Sequence, residues 1–300
     1  MTVSKNVARE MAAPRSEALR TRLPRRDVRL ALGTILINLL LLIGVVLTVI
    51  PFLYMVFSAF KPNSEIFGTP LTLWPTHPTF DNLVGLFTRV PFARWALNTA
   101  IVAGFGTVLS VLLGSLAGFA FAKYDFRFKN LLFFLMLATL LIPFQVLLVP
   151  QFQIMRVLHW FNTYQGLIIP RAVTAFGIFL MRQYTLGVPN ELLDSARVDG
   201  ASEFGIWWRV VVPLVRPGLA ILAILSFTAL WNDFFWPLIV TTDPSMFVMN
   251  LGIFSLVGPY DFQYGILLSG TLLASVPILI VFLIFQRQFI AGLTQGAVKF

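Results

Sequence analysis

Asp194-Ser195-Ala196-Arg197-Val198-Asp199-Gly200-Ala201, followed by Val210-Val211-Val212-Pro213, is the stretch that decides the fold. It lies in a charged, loop-forming block, 187–216, between two apolar segments of membrane length. A loop that merely joins two spans does not need this much organised sequence. Gly200 and Pro213 punctuate the block thirteen residues apart.

The local chemistry predicts two short helices. Pro189-Asn190 starts the first, with Asn190 as its N-cap and Glu191 in the first turn, where a negative charge suits the helix dipole. Residues 191–199 then rise about 13 Å at 1.5 Å per residue. Gly200 is the natural residue just past the helix end, because it can take a positive φ. Ser202 can cap the second helix, and its Phe204, Trp207 and Trp208 offer bulk for the membrane interface. Pro213 and Pro217 break the chain before the next span. Ser195, Ala196, Gly200 and Ala201 form a patch without bulk, so another surface can approach the backbone closely. Asp194, Arg197 and Asp199 border that patch and can fix register with a partner. Either this is a docking helix or it is an interfacial connector between two spans.

Outward from the block, the chain is apolar. Of its 300 residues 58% are hydrophobic and only 12% charged. Globular chains carry about 25% charged residues, so a bilayer is the natural solvent. Phe is abundant at 30 residues, and Cys is absent, which excludes disulfides and Cys-based metal sites. The net charge of +9 does not indicate nucleic acid, because the basic residues border apolar segments.

Six segments are long enough to span, roughly 30–60, 95–122, 130–153, 164–186, 217–241 and 264–286. They are continuously apolar rather than alternating, which predicts helices and not a barrel. Pro51 predicts a kink or an early end to the first, and Pro277 a kink in the last. The first apolar run is too long for a signal-peptide core, so it is expected to remain as a span. Residues 1–29, with eight basic and three acidic side chains, read as a cytosolic tail. Seventeen of the 22 Lys and Arg residues fall on one set of loops. That asymmetry predicts both termini and 187–216 in the cytosol, with 61–93, 154–163 and 242–263 outside. The Pro-rich outer segment 61–93 reads as ordered irregular structure rather than helix. The expected organisation is therefore tail 1–29, first span 30–60, outer loop 61–93, a five-helix core over 94–286, and a cytosolic tail over 287–300.

Two charges lie within spans, Asp233 and Arg171. A charge there usually faces a cavity or a partner. Asn232, Asp233 and Trp236 combine hydrogen-bonding groups with flat apolar surface, as a path for hydroxyl-rich solutes requires. Equally, Asp233 can pin neighbouring helices, and Arg171 can snorkel, line the path or pair with Asp233. Gly104, Gly106, Gly114 and Gly118 recur at helical intervals and predict close packing of the second span. With two His and no Cys, neither a metal site nor a Ser–His–Asp set is discernible.

The 194–213 block resembles the EAA loop of binding-protein-dependent ABC importer permeases, whose glycine and proline keep the same spacing. Asp194, Ser195 and Ala196 stand where that family has Glu, Ala and Ala. The resemblance covers roughly 90–300, and the first span more loosely. Trp231-Asn232-Asp233-Phe234 with Pro237 looks like the fifth span of carbohydrate-type permeases. Asn162-Thr163-Tyr164-Gln165-Gly166-Leu167 and the tail Ala291–Lys299 look like the maltose-permease-like subgroup.

This resemblance implies an all-α integral membrane protein with six transmembrane helices, in the type I ABC importer fold with a cytosolic coupling helix. It assigns ATPase coupling to Glu191, Asp194, Ser195, Ala196, Asp199, Gly200, Ala201 and Pro213. It sends the tail residues Gly292, Leu293, Gly296 and Lys299 toward the ATPase. The implied partners are a second homologous permease, two ATPase subunits, an extracytoplasmic solute-binding protein and a sugar, within the cytoplasmic (inner) membrane of a prokaryote. No Gly-Lys pair exists for a phosphate-cradling loop, so ATP and magnesium are expected on the partner ATPase and no cofactor on this chain. Three rival expectations are the same machinery carrying glycerol 3-phosphate or another polyol derivative, an ion-driven secondary transporter, and a membrane-embedded enzyme, for which the sequence shows no convergent catalytic set. The second would need several buried carboxylates.

Overall fold

The computed structural model describes residues 25–257 and 263–295, with side chains over 33–257 and 263–286. Most of the expected 1–29 tail therefore lies outside the described residues. The chain divides into two units, 1–53 and 54–300. Helix α1 (Arg25–Ser58) forms the described part of the first unit and its last turn enters the second. Contrary to one expectation, α1 does not end at Pro51. Leu36, Leu40 and Leu47 are all exposed on it. A stripe of bare leucines of this length belongs in hydrocarbon rather than water.

Every regular element among the described residues of the second unit is a helix. The outer segment holds α2 (Asn63–Ile66) and α3 (Asp81–Thr88), so the expectation of irregular structure over 61–93 is corrected there. The prolines do not prevent helices because the helical turns lie between them. Asn82 ties the segment down. Its Nδ2 donates to the carbonyls of Ser58, Ala59 and Lys61 at 3.5, 3.2 and 2.6 Å. Those carbonyls lie at and just past the end of α1, where the helix's own amides no longer serve all of them. Lys61 is fully buried, and its ammonium donates to the Thr72 carbonyl.

Helix α4 (Phe92–Lys123) is the second span and the centre of the unit. The third predicted span, 130–153, is not one rod. It comprises α5 (Lys129–Ala138), a short 3-10 turn to Leu141, and α6 (Phe144–Val157), bent by 106°. The break falls at Ile142, which is extended because a residue before proline is driven out of the helical region. The fourth span comprises α7 (Tyr164–Ile168) and α8 (Ala175–Leu186), bent by 48°. Thr163 and Thr174 cap these two halves through their side-chain oxygens.

The loop helices α9 (Asn190–Val198), α10 (Glu203–Ile206) and α11 (Val212–Leu214) follow. A π-helical turn, Trp207–Val211, joins the last two. The chain then turns by 86° into α12 (Arg216–Trp231). The predicted span 217–241 ends as a helix at Trp231 and resumes as α13 (Phe235–Val240). Helices α14 (Met249–Ser255) and α15 (Tyr264–Gln295) complete the described chain. α15 runs unbroken past Pro277 and beyond the expected boundary at 286. Among the described residues three helices are long and apolar enough to cross a membrane, and counting each of three bent pairs as one span gives up to six crossings.

Glycines bring α4 close to its neighbours. A Cβ on Gly118 would stand 2.6 Å from Met181 Cβ and 2.7 Å from Arg182 N, and one on Gly106 would stand 2.5 Å from Leu230. Gly114 adjoins Leu222 and Gly177. Gly104 is the exception, with nothing within 4 Å, so its place in the packing pattern is corrected. Ser110 and Ser226 share a hydrogen bond at 2.8 Å across the α4–α12 contact.

Gly118→Val should destabilise the protein by about 1–3 kcal/mol through overpacking against α8 backbone. Thermal unfolding in detergent checks this, with Gly104→Val as the tolerated control. A second outcome concerns acid. Hydrogen bonding from His77 holds the Glu65 carboxyl below its ordinary range, and Glu65 also accepts from the Thr76 amide at 3.0 Å. A lowered carboxyl stabilises above its ordinary pKa of 4.5 and loses that effect as pH falls through the lowered value. Amide exchange at Thr76, corrected for the intrinsic rate, should therefore accelerate only below that range.

Candidate functional site

The 187–216 block folds as two short helices on a buried foot. Leu193, Ile206, Trp207 and Val211 are buried together with Phe119, Met181 and Leu222 of the neighbouring spans. This foot fixes the loop while α9 shows its other face to solvent. Trp207 is buried rather than interfacial, correcting the expectation for it, whereas Phe204 and Trp208 are exposed. The reason is the foot itself, whose buried cluster takes in Trp207 together with Leu193 and Phe119.

The end of α9 is a two-bond helix stop. The Gly200 amide donates to the Arg197 carbonyl and the Ala201 amide to the Ala196 carbonyl, both at 3.0 Å. Gly200 has φ +79°, and a Cβ there would meet nothing within 4 Å. That is the Schellman arrangement, and it needs a residue without the left-handed penalty. Ser202 then caps α10 by accepting from the Gly205 amide at 3.2 Å. Both expectations hold. The N-cap expectation does not, since Pro189 is the cap residue and Asn190 lies inside the helix. The Asn190 Oδ1 is instead taken by Lys123 Nζ at 2.9 Å.

Three charges of the loop are spent on one another. Arg197 donates to Asp194 Oδ1 at 2.7 Å and to the Glu203 carboxylate at 2.9 and 3.3 Å. Tyr124, just past α4, donates its hydroxyl to Glu203 Oε2. Burial, then the Glu203 carboxylate, push the Tyr124 phenol up to about 12. Hydrogen bonding to Glu203 raises Arg197 further above its already high value. Sequence reasoning missed Lys123, Tyr124 and Glu203. Lys123 and Tyr124 lie 67 and 79 residues from their partners Asn190 and Glu203, and although Glu203 is six residues from Arg197, no repeating spacing announces that contact.

The remaining coupling candidates divide cleanly. Glu191, Asp194, Ser195, Asp199, Gly200 and Ala201 are exposed, and Ala196 is half-buried. Pro213 lies in α11, at the bend before α12. Gly292 and Leu293 lie in the last turns of α15, whereas Gly296 and Lys299 fall outside the described residues.

The membrane candidates form a separate cluster. Arg171 Nε pairs with Asp233 Oδ2 at 3.1 Å, and its guanidinium lies 4.8 Å from the Phe144 ring centre. Asp233 is 11% exposed, and its other oxygen accepts from the Trp236 amide at 3.4 Å. Trp236 is wholly buried, and its indole donates to the Gly166 carbonyl at 2.9 Å. In this conformation it offers no face to a solute, which corrects its assignment to the path. Asn232 is exposed and donates to the Thr228 carbonyl at 3.0 Å. A cavity of about 150 Å³ adjoins Arg171, Thr174 and Ser226.

Comparison with known proteins places this geometry. Residues 110–295 match the family described as "Binding-protein-dependent transport system inner membrane component". The arabinooligosaccharides transport system permease protein AraQ of Halalkalibacterium halodurans is 42% identical over 84% of this chain and 92% of its own length. The sn-glycerol-3-phosphate transport system permease protein UgpE of Yersinia pestis is 31% identical over 86% of this chain and 95% of its own. A bacterial ABC transporter involved in the import of the acidic polysaccharide alginate superposes with a TM-score of 0.80. It is 22% identical, over 89% of this chain and 99% of that one, and so speaks for the fold. The chain belongs to the binding-protein-dependent transport system inner membrane component family, as an integral inner-membrane permease of all-helical fold.

Proposed function

We propose that this chain is the permease subunit of an ATP-driven importer that moves a sugar or oligosaccharide across the cytoplasmic membrane by alternating access. The observation that carries the coupling role is Gly200, whose positive φ and open surroundings leave the end of α9 bare for another surface. In this reading α9 is the coupling helix, with Glu191, Asp194, Ser195, Ala196, Asp199, Gly200 and Ala201 at the contact. Two ATPase subunits that carry ATP and magnesium dock there, a second permease completes the path, and a solute-binding protein delivers the cargo outside. Both termini lie in the cytosol. The two access states form an equilibrium that ATP binding biases through contacts differing between them.

The cargo class rests on the 42% identical relative, named for arabinooligosaccharides. Glycerol 3-phosphate, named for the 31% identical relative, is the second reading. An anionic cargo would want a free cation in the path, and Arg171 is already paired with Asp233. That pairing favours the neutral cargo. It also favours a pinning role for both residues over direct solute contact.

Two experiments follow. Gly200→Leu forces a side chain into the left-handed region, at a cost of about 1–2 kcal/mol, and puts bulk on the docking face. Uptake should fall by at least an order of magnitude while the protein stays in the membrane, and normal uptake would sink the coupling role. For the pinning role, Asp233→Ala should lower stability in detergent by less than the about 3–5 kcal/mol typical of a fully buried pair. Arg171→Ala should cost a similar amount, and the double variant little more than either single one. Additive losses would show that the two residues act separately.

A further inference from the structure

Lys123 and Tyr124, at the end of α4, both reach into the 187–216 loop, though neither belongs to it. Lys123 Nζ donates to the Val188 carbonyl and to Asn190 Oδ1, at the start of α9. Tyr124 donates to Glu203, at the start of α10. Glu203 in turn holds Arg197, in the last turn of α9, through two donors. The start of α9 is thus tied directly to α4, and its end through Glu203. Leu193 between them is buried in the foot. On the far side, α4 packs through Gly106, Gly114 and Gly118 on α8 and α12.

Resting on the coupling role proposed above, we infer that Tyr124, Glu203 and Arg197 are positioning residues, forming a clamp through which displacement of α9 is delivered to α4. The physical argument is one of stiffness. A helix of nine residues tied at one end pivots when pushed, whereas one tied at both ends moves its anchor. The Arg197–Glu203 contact is a two-donor pair of fixed geometry, which resists rotation better than a single hydrogen bond. Tyr124 adds a third attachment that brings in α4. Arg197 remains exposed, but its guanidinium donors are engaged by Asp194 and Glu203, so this cation serves geometry within the loop.

The test uses the assembled transporter in proteoliposomes, comparing Glu203→Ala, Tyr124→Phe and the double variant with the unmodified complex. The readout is solute moved per ATP hydrolysed, alongside the amount of ATPase that co-purifies. Glu203→Ala should lower that ratio by at least about five-fold, the lower end of usual coupling between sites, with ATPase binding unchanged. Tyr124→Phe should act in the same direction, and the double variant should be no worse than Glu203→Ala. Glu203→Gln, which keeps an acceptor for both partners, should recover part of the ratio. An unchanged ratio in Glu203→Ala overturns the clamp. So does a loss of transport that merely follows loss of bound ATPase, since Glu203 would then belong to the docking face. If the unmodified chain binds no ATPase, the coupling role itself fails. The clamp is still tested on the purified chain, where Glu203→Ala should speed amide exchange across 190–203 and leave α8 unchanged. Equal exchange in the two proteins overturns it.

Discussion

A backbone break inside an apolar segment leaves carbonyls and amides that lipid cannot satisfy, and this fold depends on side chains that reach back to them. Two of these groups are indoles, with an apolar body and one polar end. Trp236 reaches the Gly166 carbonyl, and Trp231 reaches Ala274 near Pro277. Asn98 donates to the carbonyls of Ser245 and Phe247, and Tyr164 in turn donates to Asn98. Thr99 receives the Met249 amide at the first turn of α14. The breaks are thereby tied to intact helices, above all to α4. The Arg171–Asp233 pair follows the same rule, since Asp233 also faces the amide of Trp236 across the α12–α13 break.

Helix α4 carries both halves of this arrangement. Its first turns hold the 244–249 segment through Trp95, Asn98 and Thr99. Its middle gives up side chains so that α8 and α12 can approach. Its end holds the loop through Lys123, and through Tyr124 just beyond it. One unbroken helix therefore joins the two ends of the unit, while α8 and α12 each belong to a bent pair.

Much of this was legible in the sequence. Continuous apolar runs gave the number of crossings, and Gly200, Ser202, Pro213 and Pro217 gave the loop's punctuation. These signals are local, since each depends on one residue's own backbone preference. What stayed hidden depends on contacts between distant residues. The bend at Ile142 was readable in principle from Pro143, but an apolar run of membrane length masked it. Trp207 and Trp236 carried the right chemistry for an interface and a path, and tertiary packing drew both into the core. Asn190 had the composition of a cap, and Lys123 took its oxygen. The Glu203–Tyr124 contact had no sequence signal, because a glutamate near a helix start ordinarily needs no partner beyond the dipole.

The π turn at Trp207–Val211 gives the glycine-to-proline spacing a physical meaning. A π turn holds one residue more than an α turn would over the same length. Because the extra residue is absorbed within the turn, the helix on either side keeps its facing, and removing it would leave a plain α turn in the same place. The thirteen residues from Gly200 to Pro213 therefore include one that the helical pitch does not require. A deletion at Trp207–Val211 is the length change this loop can take up locally, whereas one inside α12 would turn Leu222, Ser226 and Leu230 off the glycines of α4.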